Sequence, residues 1–229
     1  MEAFEAEFGT EIFEGYGLSE TSPMACFNQP DFPRQPGTVG RPVWGVSVEI
    51  ARPDVTDRIE LLPPGERGEV VISGHNIFAG YLGNPAATAE VLVDGWFRTG
   101  DIGVKDEAGY LSIVDRKKDL IIRGGYNVYP REIEEVLVTH PAVADGVVVG
   151  RPDSLYGEEV VAVVRLAAGH ETTTSEEILA WLAPRIAKYK RPRELHVCTE
   201  FPASATGKIL KHMLVHTLFG ASLEGSIKK

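Results

Sequence analysis

Apolar positions in the first half of the chain fall in short alternating runs, with glycine and proline cutting between them. Residues 46–50, 68–73, 96–99 and 110–114 each read as a strand bounded by turn residues, which predicts a small, mostly β unit. Within it, residues 84–92 predict a short helix, with Pro85 in the first turn where its missing N–H costs nothing. The pattern changes near Asp115 to alternating helix and strand. Pro130 opens a helix whose Ile133, Val136 and Leu137 share one face, and Glu132, Glu134 and Glu135 suit the positive end of its dipole. His140 and Pro141 close it. Residues 143–149 and 159–166 predict buried strands joined by a turn at 152–154. Thr174 and Glu177 form a capping box for a helix burying Ile178, Trp181, Leu182 and Ile186, which Pro184 should kink or shorten. Residues 194–199 predict a last strand and 207–219 a last helix, and the tail at 221–229 is expected to fray.

Composition narrows the class without naming it. At 229 residues, with 43% hydrophobic and 24% charged positions, the chain has ordinary globular usage and the length of one or two domains. Its net charge of −10 would repel a polyanion, which argues against nucleic-acid binding. Cys26 and Cys198 stand alone, fitting a reducing compartment rather than a disulfide framework or a thiolate metal site. No apolar run approaches the roughly eighteen residues of a transmembrane segment, and the N-terminus lacks the pattern of a signal peptide, so a cytoplasmic location is expected.

The densest chemistry lies between Gly95 and Glu135. At 98–101, Arg-Thr-Gly-Asp runs a strand-like segment into a glycine turn that leaves the Asp101 carboxylate projecting, an arrangement suited to a ribose diol. A second turn at 106–109 and another strand lead to Asp115 and Arg116, which puts Asp101 and Arg116 on neighbouring turns. An apolar stretch and the pair Gly124–Gly125 follow. Spacing alone leaves open whether this acid and arginine bind a ligand or serve the fold.

Five motifs in order add more. EGYGLSET at 14–21, GERGEVVISG at 65–74 with AGYL at 79–82, WFRTGDI at 96–102, VDRKKDLIIRGGYNVYPREIE at 114–134 and SATGK at 204–208 resemble those of the adenylate-forming superfamily. That superfamily holds the acyl-CoA synthetases, luciferases and peptide-synthetase adenylation domains. The resemblance implies an α+β fold. A distorted β-barrel remnant of the large domain would occupy residues 1–114, and a compact α+β C-terminal domain with an antiparallel sheet and flanking helices 115–229.

The resemblance also assigns residues. Tyr16, flanked by glycines, would stack on adenine. Gly17, and Ser19 in place of the usual threonine, would border the nucleotide, and Glu20 would serve catalysis as an oxygen ligand for Mg2+. Asp101 would hold the ribose hydroxyls, with Arg116 as a second contact to ribose or phosphate. Lys208 would neutralise charge as a carboxylate attacks the α-phosphate of ATP. Asp115 would be the hinge, and Gly124, Gly125 and Tyr126 would line the pantetheine passage of coenzyme A. The basic cluster at 188–193 reads as a solvated face, with the phosphates of coenzyme A as the alternative.

The 114–134 motif resembles acyl-CoA ligases, above all those for medium- or long-chain fatty acids, with aryl-CoA ligases and carrier-loading adenylation enzymes behind. A non-catalytic regulatory or binding module of the same fold is the alternative from another class. Only fifteen residues precede Tyr16, whereas the superfamily's phosphate loop lies upstream of that motif. The chain is therefore expected to be a C-terminal portion that requires an upstream large domain and does not adenylate a carboxylate alone. Phe4 and Phe8 on one helical face fit a surface that packs against more protein.

Overall fold

The computed structural model describes residues 1–205 and 207–220, and the chain divides into two compact units, Met1–Lys117 and Lys118–Lys229. The tail expected to fray, and Thr206 of the last motif, lie outside the described residues. The first unit opens with helix α1 (Glu2–Phe8), on which Phe4 and Phe8 are exposed and 4.4 Å apart. Strands β1 (Gly15–Gly17), β2 (Met24–Phe27) and β3 (Arg41–Pro42) form a small antiparallel sheet. Next come β4 (Val46–Ala51), β5 (Arg67–Gly74), α2 (Pro85–Val91), β6 (Leu92–Val93), β7 (Trp96–Lys105) and β8 (Leu111–Arg116). Asn84 caps α2 by accepting from Ala87 N at 3.0 Å.

These later strands make an open, curled half-barrel in the order β4-β5-β7, with β6 and β8 both pairing the far side of β7. Its core joins Val46, Val48, Ile50, Val70, Ile72 and Leu111 with Ala25 and Cys26 of the small sheet. Strand β7 runs through the turn expected at Gly100. Glu69 pairs with Ile102 and Val71 with Arg98, so residues 99–101 all bulge opposite Val70. Gly100 sits at φ +70°, a conformation open to glycine at little cost, which lets the strand bulge and continue rather than end.

The second unit holds β9 (Ile121–Arg123), β10 (Tyr126–Val128), α3 (Pro130–Leu137), β11 (Val143–Asp153), β12 (Gly157–Leu166), α4 (Ser175–Leu182), β13 (Glu194–Cys198) and α5 (Lys211–Phe219). The sheet runs β10-β9-β12-β11 with antiparallel pairs, and β13 joins β12 in parallel because the α4 crossover returns the chain in the same direction. Successive side chains of a strand face opposite sides. Val148, Val160, Ala162 and Val164 therefore pack with α3 and α4, while Val147, Val149, Val161 and Val163 pack with Leu214 of α5.

Thr174 and Glu177 make the expected capping box, and α4 ends before Pro184. Two boundaries move. Strand β11 extends through Pro152, so the turn falls later, where Asp153 Oδ1 accepts from Leu155 N and Tyr156 N, both at 2.9 Å. The last helix begins at Lys211, not at 207, because Ala203 bridges Ile209 and Leu210 N donates to Pro202 O, which keeps 209 and 210 out of the helix.

Cys26 is fully buried, and burial pushes its thiol pKa up to about 12. Alkylation of the native chain at pH 8 should therefore reach Cys198 first and Cys26 only on unfolding, as peptide mass spectrometry would show; early labelling of Cys26 would contradict its burial. Among the described residues, no helix is long and apolar enough to cross a membrane.

Candidate functional site

Asp101 and Arg116 are direct cross-strand partners on β7 and β8, not residues of neighbouring turns. The correction follows from the bulge: Gly100 redirects β7 without ending it, so Asp101 re-enters the ladder opposite the end of β8. Arg116 Nε lies 3.4 Å from Asp101 Oδ1, with the arginine partly exposed and the acid buried. Thr99 Oγ1 accepts from Asp101 N at 3.0 Å and donates to Val70 O at 2.8 Å, which fixes the bulge. Half-buried Tyr16 donates its hydroxyl to Asp101 Oδ2 at 2.6 Å. Burial first, and then the Asp101 charge, raises the pKa of this phenol, so it remains a donor.

Gly17 serves a close approach of backbones. A Cβ there would stand 1.6 Å from Pro23 O, so any side chain would push β1 off β2 and carry Tyr16 with it. Ser19 and Glu20 lie in a 3-10 turn, Ser19–Thr21, with Ser19 exposed. Tyr81 donates its hydroxyl to Glu20 Oε1 at 2.9 Å. Glu20, Leu18, Tyr81, Arg98, Thr99 and Lys117 line part of a cleft of about 270 Å³.

Glu69, Arg98 and Lys117 belong to the site as well, although no motif marks them as such. Glu69 Oε2 receives the Arg98 guanidinium and Lys117 Nζ, the latter at 3.0 Å, while Oε1 accepts from Gly100 N at 3.3 Å. Arg98 also donates to Val55 O and, at 3.0 Å, to Arg58 O. Both charges of the Glu69–Arg98 pair are almost fully buried. The group grips the backbone that presents Asp101. A signal was present: an acid inside the apolar run at 68–73 has to find a buried partner.

In the second unit, Gly124 and Gly125, at φ +57° and +83°, make the two-residue turn joining β9 to β10. Tyr126 is exposed beside them. Arg123 anchors the hairpin from below, donating to Glu159 Oε2 and Tyr189 O, each at 3.1 Å. The basic cluster is not simply a solvated face, since Lys190 is held by Glu132 at 2.6 Å and Arg191 donates to Ile186 O at 3.3 Å. Lys208 is exposed and tied to Ser204, with Ser204 N donating to Lys208 O at 2.8 Å and Lys208 N to Ser204 Oγ at 3.2 Å. Asp115 is buried in β8 opposite Ile102. Among the described residues, no group of three His, Cys, Asp or Glu could hold a metal ion. Magnesium needs no such cage, since it takes one or two carboxylates with substrate phosphates and water, and Glu20 is a carboxylate on the cleft wall.

Residues 1–82 match the AMP-binding enzyme family, and residues 132–208 match the AMP-binding enzyme C-terminal domain. The chain belongs to the adenylate-forming, AMP-binding enzymes. The chain is 44% identical to a long-chain-fatty-acid–CoA ligase of Bacillus subtilis over 93% of its length and 37% of the relative's. To a feruloyl-CoA synthase of an Amycolatopsis species it is 42% identical over 89% of its length and 40% of the relative's. Among solved structures, the O-succinylbenzoate coenzyme A synthetase of B. subtilis, in complex with ATP and magnesium ion, superposes with a TM-score of 0.80 at 34% identity. The match covers 92% of this chain and 42% of that one. The chain thus spans about two fifths of the length of these relatives.

Proposed function

We propose that the whole protein is an AMP-forming acid–thiol ligase. A carboxylate oxygen would attack the α-phosphorus of ATP, expelling pyrophosphate and giving an acyl adenylate; the thiolate of coenzyme A would then attack the acyl carbon and release AMP. The Tyr16–Asp101–Arg116 constellation carries this reading, because it puts an aromatic ring, a buried carboxylate and a guanidinium together in a chain of this family. Tyr16 is assigned to the adenine, with Gly17 and Ser19 along the nucleotide. Asp101 is assigned to the ribose hydroxyls and Arg116 to ribose or phosphate.

Glu20 would hold Mg2+, whose charge offsets that of the phosphates. Lys208 would meet the negative charge that develops on the α-phosphate, an electrostatic contribution of about 3 to 4 kcal/mol. Asp115 is assigned the pivot between the half-reactions, and Gly124, Gly125 and Tyr126 the passage for pantetheine, where a glycine turn lets a thin chain approach closely.

For the acid, relatives named for ferulate and for succinylbenzoate favour a compact aromatic carboxylate over a long-chain fatty acid. Acid-dependent exchange of pyrophosphate into ATP by the whole protein tests both the chemistry and the acid. Exchange with cinnamate-type acids and not with palmitate is the expected result, and no exchange with any acid would leave a non-catalytic module.

Proline at Asp115 tests the pivot, since it would fix φ. Asp115→Pro should slow thioester formation at least about tenfold while adenylation persists. Thioester formation at the parent rate would remove the assignment.

A further inference from the structure

The ring of Tyr16 is accounted for by the base, but its hydroxyl is not. We propose that this hydroxyl is the positioning group for Asp101: by donating to Oδ2 it orients the carboxylate so that the remaining lone pairs face the two hydroxyls of a nucleotide ribose. The proposal rests on the ribose reading of Asp101 given above.

Lone-pair accounting supports it. An ionised carboxylate offers about four acceptor sites. Tyr16 takes one on Oδ2, while Arg116 makes only an ion-pair contact with Oδ1 at 3.4 Å, which leaves at least two for a vicinal diol. The two protein partners are unequal. Arg116 is partly exposed, and its contact is long at 3.4 Å, so it restrains the acid loosely. The Tyr16 contact, at 2.6 Å from a half-buried ring, is the firmer one.

Both ends of that contact are fixed by the fold. Gly17 lets β1 lie so close to Pro23 that Tyr16 has little freedom to shift, and Thr99 Oγ1 holds the Asp101 backbone. Raised by burial and by the neighbouring charge, the phenol does not ionise in the working range and so never repels the acid. One side chain would thereby tie recognition of the base to recognition of the sugar. Such preorganisation improves affinity by lowering the cost of ordering the site.

The test separates the hydroxyl from the ring. In the whole protein, binding of ATP and of 2′,3′-dideoxy-ATP is measured by calorimetry for the parent, Tyr16→Phe and Asp101→Asn, with melting temperatures recorded alongside. Tyr16→Phe should weaken ATP about tenfold and leave the dideoxy nucleotide nearly unchanged, so the preference for ribose hydroxyls collapses. KM for ATP should rise while kcat stays near the parent value. A general loss of structure would weaken both nucleotides together.

Parental preference in Tyr16→Phe, with the preference lost in Asp101→Asn, would overturn the proposal and leave the ribose reading intact. Parental preference in Asp101→Asn would remove the ribose reading and the proposal with it. Should Tyr16→Phe melt below the assay temperature, 3-fluorotyrosine at position 16 supplies a folded variant with a stronger donor. It should increase the preference, and an unchanged or smaller preference would count against the proposal.

Discussion

Lys208→Ala should lower the rate of acyl-adenylate formation about a hundred- to a thousandfold in the whole protein, the range expected when one preorganised electrophile is removed from a site of charge development. Thioester formation from preformed acyl adenylate and coenzyme A should stay within a fewfold of the parent. That contrast makes the result informative, because a misfolded second unit would impair both steps. The site favours a selective effect: Lys208 is exposed and tied to Ser204 through its own backbone, so truncating its side chain removes no core contact. An adenylation rate within tenfold of the parent would strip Lys208 of its role.

The largest effect on stability is expected from Glu69→Ala. Removing one partner of a buried ion pair costs about 3 to 5 kcal/mol, since the other charge is left without compensation in a medium that solvates it poorly. Arg98 has 4% of its side chain exposed and cannot rehydrate, whereas Lys117, at 34%, can turn outward. With a denaturant slope of about 2 kcal/mol per molar, the urea midpoint of the first unit should fall by about 2 M. Trp44 and Trp96 lie in that unit and Trp181 in the other, so a fluorescence transition split between them would show which unit responds. Glu69→Leu combined with Arg98→Met should recover part of the loss, because apolar groups demand no counter-charge. An unshifted midpoint in Glu69→Ala would mean that the buried pair contributes nothing to the fold.

Periodicity reported the elements well and their ends less well. The apolar runs at 46–50 and 68–73 became β4 and β5, and the Thr174–Glu177 box capped α4, because each depends on local chemistry alone. Strand β7 outruns its sequence pattern, since Thr-Gly-Asp has the composition of a turn and only pairing with β5 and β8 carries the chain through it. The same limit applied at 207–210, where the bridge between Ala203 and Ile209 outweighs helix propensity.

For the candidate site, motif resemblance pointed to Tyr16, Asp101 and Arg116, which lie together in the structure, but not to the contacts among them. The hydrogen bond between Tyr16 and Asp101 spans 85 residues and the bond between Glu69 and Arg98 spans 29, and no local pattern encodes either. The parallel pairing of β13 was likewise unreadable from its own composition, because direction is set by the crossover through α4.

The rung between Asp101 and Arg116 also sets terms for any swivel of the chain. A turn made at Asp115 would have to peel the end of β8 away from β7 and part the two residues assigned to the ribose. A turn made beyond Lys117, which Glu69 moors, would leave them together. In that second case the pocket built by β7 and β8 would keep its shape, because every contact that holds Asp101 lies before the turn.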